Sequence, residues 1–223
     1  MAPHLPYRFV RLIALLFGTL RFGYAAAPQC APPSGFHDTP HPTIAPTEQL
    51  VSRAEEIVIA RPYSVVSAAM NKPLEKTILK SDSLPGVSGD YMLTQGPFGA
   101  PRSRHLVCLT DGTTTEEEAL EREDSPTAGH FRYIVWNYTT PKARPVAYGV
   151  GEFRTVQLDA SHTRITWTYS FKLKDDTFPG YLGALGRWLF KVSFLDRDYA
   201  AMMQGVLRGY QQAAEGRSSM PSR

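Results

Sequence analysis

Three residue types in this chain suit proton transfer. They are the carboxylate of Glu118, the imidazole of His105 and the phenol of Tyr169. Held at one wall of a cavity, such groups would act as an acid–base set. Glu118 belongs to an acidic run with Glu116, Glu117, Glu121, Glu123 and Asp124. A solvated strand face accounts for most of that run. On strict alternation, Glu116 and Glu118 share a face with Leu120, and one of the two is a candidate to turn inward. A buried carboxylate needs a cationic partner, which Arg102, Arg104 or Arg132 would supply. His105 alternates with Val107 and Leu109 and is also placed to face inward, where it suits a satisfied core position as well as a catalytic one.

Other chemistries lose ground. The sequence has no Gly-x-Ser-x-Gly elbow, no phosphate-binding Gly-rich loop, no His-Glu-x-x-His and no Cys-x-x-Cys. No cofactor is expected. His37, Asp38 and His41 have metal-ligand side chains. They lie among Pro28, Pro32, Pro33, Pro40, Pro42 and Pro46, where nothing local would fix a geometry, so no metal is expected. Residues 28–47 read as a solvated Pro-rich tether. Cys30 falls in that tether. Cys108 alternates with strand residues and reads as a small buried hydrophobe. The two would pair only in an oxidising compartment, and no disulfide is expected.

The elements that would position these groups follow from periodicity. Val51–Ala60 reads as a first strand, ended by Arg61-Pro62. Two short helices follow: Tyr63–Met70, and a second opened by Asn71-Lys72-Pro73. Beyond Leu84 the period changes to that of strands. Arg104–Thr110 is followed by Asp111-Gly112, a tight-turn dipeptide. Thr113–Glu123, His130–Thr139 and Tyr148–Leu158 continue the series. Thr163–Leu173 alternates most clearly, with Ile165, Trp167, Tyr169, Phe171 and Leu173 on one face. A helix over Asp196–Ala214 carries Leu195, Tyr199, Met202, Val206, Tyr210 and Ala213 at three- and four-residue steps. Asp196 or Ser193 would cap it. The pattern predicts an α+β domain over residues 48–215: a curved antiparallel sheet of six to seven strands gripping a long C-terminal helix, with two short helices after the first strand. Residues 216–223 read as a polar tail.

A bent sheet around one helix leaves room for a ligand. Trp167, Tyr169 and Phe171 project to the buried face, joined by Tyr133 or Trp136 according to register. Met202, Gly205 and Val206 face them from the helix. Ala201, Gly205 and Gly209, four apart, suggest a close approach by sheet backbone or ligand. These residues are the expected ligand-binding set. Gly180–Phe190 mixes three glycines with Tyr181, Leu185 and Trp188. Besides a packed turn of helix, it suits a lid touching a membrane transiently.

At the level of local texture the chain resembles the START-like (helix-grip, SRPBCC) superfamily, in its polyketide cyclase/dehydratase and lipid-transport form. The likeness runs from about Glu48 to Glu215. It rests on Glu56–Pro62 as the opening strand and turn, on Arg104 through Asp111-Gly112 to Glu118 as a central hairpin, on Thr163–Tyr169 as the last strand, and on Asp196–Tyr199 opening the gripping helix. The resemblance implies a hydrophobic ligand, lipidic or aromatic, bound in an internal cavity. The alternative it implies is a cyclase or dehydratase acting on such a ligand. Fold alone does not carry function.

Charge and the N-terminus bound the setting. The formal charge of +3 comes from Arg8, Arg11 and Arg21 in residues 1–27, which contain no acid. The rest is balanced, so no nucleic-acid partner is expected. Arg8 and Arg11 precede Leu12–Phe17, and Ala25-Ala26-Ala27 offers a cleavage site. Residues 1–27 therefore read as a signal peptide and the domain as exported.

Overall fold

A computed structural model describes residues 30–78, 81 and 83–216. The expected signal peptide (1–27) and most of the polar tail (217–223) lie outside them.

Seven strands form one antiparallel sheet in the order β1-β7-β6-β5-β4-β3-β2. They are β1 (Val51–Ile59), β2 (Val87–Met92), β3 (Arg104–Leu109), β4 (Thr114–Asp124), β5 (Ala128–Trp136), β6 (Val146–Gln157) and β7 (Thr163–Leu173). The connections from β2 to β7 make those strands successive antiparallel neighbours, and β1 closes the order by pairing with β7. Helix α1 (Tyr63–Met70) and a single 3₁₀ turn (Leu74–Lys76) lie between β1 and β2. The expected architecture is the observed one.

The C-terminal helix is longer than its apolar period suggests. It begins at Ala184, not near Asp196, and runs through α2 (Ala184–Phe190), a π-helical stretch (Lys191–Tyr199) and α3 (Ala200–Ala214). Asp196 is therefore no cap. It lies inside the helix, where Arg53 of β1 bonds it at 2.8 Å and Lys191 at 2.9 Å. Gln204 reaches Glu55 of the same strand at 3.2 Å. The helix is thus tied to the sheet edge by polar bonds while its apolar side enters the core. Leu195, Met203, Val206, Leu207 and Tyr210 are buried there. Met202 is half-buried, and Ala201 and Gly205 are exposed, with nothing within 4 Å of a Cβ placed at Gly205. The small-residue stripe therefore faces solvent, which removes Gly205 from the expected ligand set.

The concave face follows the alternation of β7. Ile165, Trp167, Tyr169 and Phe171 are buried, and register places Phe153, Gly151 and Gly149 of β6 opposite the last three. Tyr133 of β5 pairs with Gly151. The glycines are required: a Cβ at Gly151 would lie 2.2 Å from the Tyr133 ring, and one at Gly149 2.6 Å from the Tyr169 ring. Large rings on neighbouring strands fit only because β6 offers no side chain at those points.

The convex face departs from expectation. Ile134, Trp136, Tyr148 and Val150 form a second apolar cluster there, joined by Leu120 and by Ile44 and Leu50. Trp136 is only 3 % exposed. It lies on the face away from the cavity, so register selects Tyr133 and excludes Trp136 from the ligand set. The residues expected to be a solvated tether cover this cluster. Cys30 is disulfide-bonded to Cys108, with their Cα atoms 5.6 Å apart, contrary to the expected unpaired Cys108. Thr39 accepts a hydrogen bond from the Trp136 indole at 3.2 Å, and Asp38 pairs with Arg104. Glu48 accepts a bond from the Tyr148 hydroxyl. Proline-rich composition disfavours independent structure, but long-range bonds supply the order that local propensity lacks.

Candidate functional site

The acidic strand β4 carries a buried carboxylate on one face and a partly buried one on the other. Glu116 points to the convex side, is fully buried, and accepts hydrogen bonds from Arg104 at 2.6 Å and Asn137 at 2.6 Å. Burial raises its pKa, and the Asn137 and Arg104 bonds oppose that rise. Glu118 shares this side, 3.7 Å from both His41 and Arg104. The buried carboxylate with an arginine partner expected at Glu116 or Glu118 is Glu116, but both face away from the cavity, and another carboxylate faces into it. It is Glu117. The phase of β4 is set by its pairing with β5 and shifts at a bulge between Ala119 and Glu121. Beyond it, Arg122 and Asp124 rather than Glu121 and Glu123 join the concave face. An extra residue in one strand does this, and side-chain alternation alone does not reveal it.

Glu117 meets His105 across the β3–β4 pair, with Nε2 and Oε2 3.1 Å apart. On its other side His105 Nδ1 lies 3.3 Å from Asp90 of β2. The imidazole is 1 % exposed. Burial works to lower its pKa, but the Asp90 and Glu117 hydrogen bonds and charges prevail and push it up to about 9. His105 is thus an imidazolium at neutral pH, clamped by two carboxylates. Phe98 stacks on its ring with centroids 3.7 Å apart and planes within 7°. A cation against an aromatic face gains further electrostatic support.

This cluster borders a cavity of about 390 Å³ between the concave sheet, the α1 region and helix α3. Its apolar wall is a continuous run of rings. Phe98 meets Phe131 edge-on, Phe131 stacks on Tyr133 at 5.4 Å, and Phe153 stacks on Trp167 at 4.8 Å. Val206 and Tyr210 close the helix side. Trp167 is 2 % exposed, and its indole N–H is directed at the Tyr133 hydroxyl. Asn71, Lys72, Arg122 and Asp124 add polar groups around the α1 side. The size and lining suit a small molecule with aromatic rings and few polar groups.

Of the expected site residues, Tyr133, Trp167, Val206 and His105 border the cavity. Tyr169 and Phe171 face the same side of the sheet but pack further along. There they form a plug with Tyr199, whose ring lies 4.7 Å from Tyr169 and 4.9 Å from Phe171. The Tyr169 hydroxyl is 3.4 Å from that of Tyr138, and burial holds its pKa well above the ordinary value. It therefore remains a neutral phenol, not a base. Half-buried Met202 packs on the core without bordering the cavity, Gly205 faces solvent, and Trp136 and Glu118 lie on the convex face. Glu117, Asp90 and Phe98 were missed. The available signal was the register of β3 against β4: once His105 faces inward, its cross-strand partner must do so too.

Gly180–Phe190 does not border the cavity. Two of its three glycines serve close packing: a Cβ at Gly186 would lie 1.8 Å from the Pro179 carbonyl oxygen, and one at Gly180 2.0 Å from that of Lys174; Gly183 instead takes a positive φ of 59°.

Comparison with known proteins recovers the fold. No family model matches the sequence. No curated protein matches it either. Solved structures do match in shape. Ara h 8.0201 superposes with a TM-score of 0.53 at 13 % identity, over 76 % of this chain and 100 % of its own. The di-domain aromatase/cyclase StfQ of the steffimycin biosynthetic pathway gives 0.53 at 15 % identity, over 77 % of this chain and 53 % of its own. The Zhui aromatase/cyclase of Streptomyces sp. R1128 gives 0.50 at 18 % identity, over 76 % and 100 %. The chain has the START-like helix-grip fold.

Proposed function

We propose that this START-like domain binds a ring-bearing hydrophobic small molecule in the cavity, with the ligand's polar end at the Asp90–His105–Glu117 cluster. The observation that carries the reading is one apolar, ring-lined void with a single buried ion cluster at its wall. Rings on the ligand would stack against Phe131, Tyr133, Phe153 and Trp167. A ligand hydroxyl would donate to Glu117.

A second reading follows from the protonation state of His105. Both of its N–H groups are taken by Asp90 and Glu117, so it positions Glu117, whose carboxylate can take a proton from a ligand and return it. This supports the cyclase or dehydratase alternative, in which Glu117 handles the proton and His105 is its positioning partner. Two proteins that share the fold are aromatase/cyclases.

Export is part of the proposal. A disulfide between Cys30 and Cys108 persists in an oxidising compartment. That agrees with a signal peptide at residues 1–27.

Native mass spectrometry of the protein from its own host tests binding directly: a retained small molecule is expected. Ser67→Phe, from the α1 side of the cavity, should abolish retention with unchanged folding. A protein that retains nothing, together with a Ser67→Phe variant that takes up no less of an aromatic probe such as anilinonaphthalene sulfonate than the parent, would sink the carrier reading. Conversion of the retained molecule by the parent but not by His105→Gln would favour the enzyme.

A further inference from the structure

The chain carries a second apolar feature, remote from the cavity and independent of the ligand reading. Phe178, Tyr181, Leu185 and Trp188 are each 56–60 % exposed, and Leu182 and Val192 are exposed beside them. Leu185, Trp188 and Val192 recur at helical spacing and form one outward stripe on the first turns of the long helix. Phe178 and Tyr181 extend it through the preceding turn, with their rings 6.0 Å apart. A groove of about 340 Å³ opens beside the stripe, bounded by Phe178, Pro179, Leu189, Phe190 and Phe194 and by Lys142 and Pro145. Soluble proteins seldom expose this much contiguous aromatic and aliphatic surface without a partner.

The surrounding charge selects the partner. Residues 177–195 contain Arg187 and Lys191 and no acid. Lys174 stands just before the stripe, and its backbone N–H binds the Pro145 carbonyl at 2.8 Å. That bond brings the loop with Lys142 and Arg144 to the same region. Of the nearest acids, Asp175 pairs with Lys172 and Asp196 with Arg53 and Lys191, while Asp176 and Asp198 stand at the two edges. We propose that this surface docks onto an anionic lipid bilayer, with the stripe seated at the headgroup–acyl boundary, an acyl chain in the groove, and the ring of Lys and Arg on lipid phosphates. Trp and Tyr at such a boundary bury a ring and keep a polar tip wet, and each nearby cation adds attraction to an anionic surface. A second copy of the chain fits worse. A twofold interface would set the same basic ring against itself. Because the stripe does not border the cavity, it acts as an anchor and not as a lid.

Trp188 reports on this surface. Trp136 and Trp167 are buried, so a change in tryptophan emission on adding lipid is a change at Trp188. The full mature chain, with its disulfide intact, is titrated with vesicles of phosphatidylcholine, alone or mixed in equal parts with phosphatidylglycerol. A blue shift, quenching by brominated phosphatidylcholine, and weakening by salt are expected with the anionic vesicles. Leu185→Glu, an exposed position that should not disturb folding, is expected to weaken binding about tenfold or more, as loss of one buried leucine implies. Arg187→Glu should weaken binding to anionic vesicles alone. No shift with either vesicle overturns the proposal. So does undiminished binding by Leu185→Glu with native unfolding behaviour. A shift that needs no lipid and tracks a doubling of mass in sedimentation assigns the surface to a second copy and also overturns it.

Discussion

Arg104 and Glu116 meet at 2.6 Å on the convex face, and one residue along each strand His105 and Glu117 meet at 3.1 Å on the concave face. The same two strands therefore carry two buried ion pairs back to back. One is sealed beneath the Pro-rich segment by Asp38 and Thr39. The other opens on the cavity. The first is structural, and the second is the polar end of the proposed site.

The convex pair predicts a non-additive mutant cycle. Arg104→Leu strands the fully buried Glu116 carboxylate and should cost about 3–5 kcal/mol. Adding Glu116→Leu should recover much of that loss, since an apolar pair removes the stranded charge. Urea unfolding of both singles and the double checks this. A double mutant no better than the sum of the singles contradicts it.

The concave pair predicts a pH dependence. His105 has its folded pKa at about 9, above an unfolded value of roughly 6.5. Its stabilising contribution is complete below the unfolded value and disappears as pH rises through the folded one. The loss is on the order of 3 kcal/mol. Chemical denaturation across this window should show it, and His105→Gln should flatten the slope. A parent as stable above pH 9 as at neutrality would exclude a clamped imidazolium.

Oxidation state predicts a third effect. The Cys30–Cys108 bond spans a sequence separation of 78. Constraining an unfolded loop of that length contributes up to about 4 kcal/mol. Cys30→Ser with Cys108→Ser should lower the unfolding free energy towards that extent and raise proteolysis near His37 and His41. Equal protease resistance in both forms would mean the segment holds without its bond.

Gly151 links packing to the site. Alanine there would place a methyl 2.2 Å from the Tyr133 ring, which cannot yield without tilting. Overpacking of this kind costs about 1–3 kcal/mol. Tyr133 borders the cavity. Gly151→Ala should therefore lower both thermal stability and uptake of an aromatic probe. Loss of stability with unchanged uptake would mean the ring retreats away from the cavity.

How much of this was legible in the sequence depends on the range of the determining interaction. The alternation in Thr163–Leu173 is local and identified the concave face, including Trp167. Asp111-Gly112 located the β3–β4 turn. The inward carboxylate was not legible, because the facing of β4 is fixed by pairing with β3 and β5 and reset at the bulge beside Leu120. The order of residues 30–48 was hidden for a similar reason. Nothing between Pro28 and Pro46 favours structure, and its partners Arg104, Cys108, Trp136 and Tyr148 come from three later strands. The helix start at Ala184 was masked because its first turns expose Leu185 and Trp188 instead of burying an apolar stripe.

The latched segment over Trp136 has a consequence for maturation. Until the thiols join, the growing sheet has two sticky sides and only one permanent cover. In a chain kept reduced, only the bonds of Asp38, Thr39 and Glu48 would hold the cover over Ile134, Trp136, Tyr148 and Val150. The Cys30–Cys108 bond thus adds a covalent clasp to a cover also held by Asp38, Thr39 and Glu48.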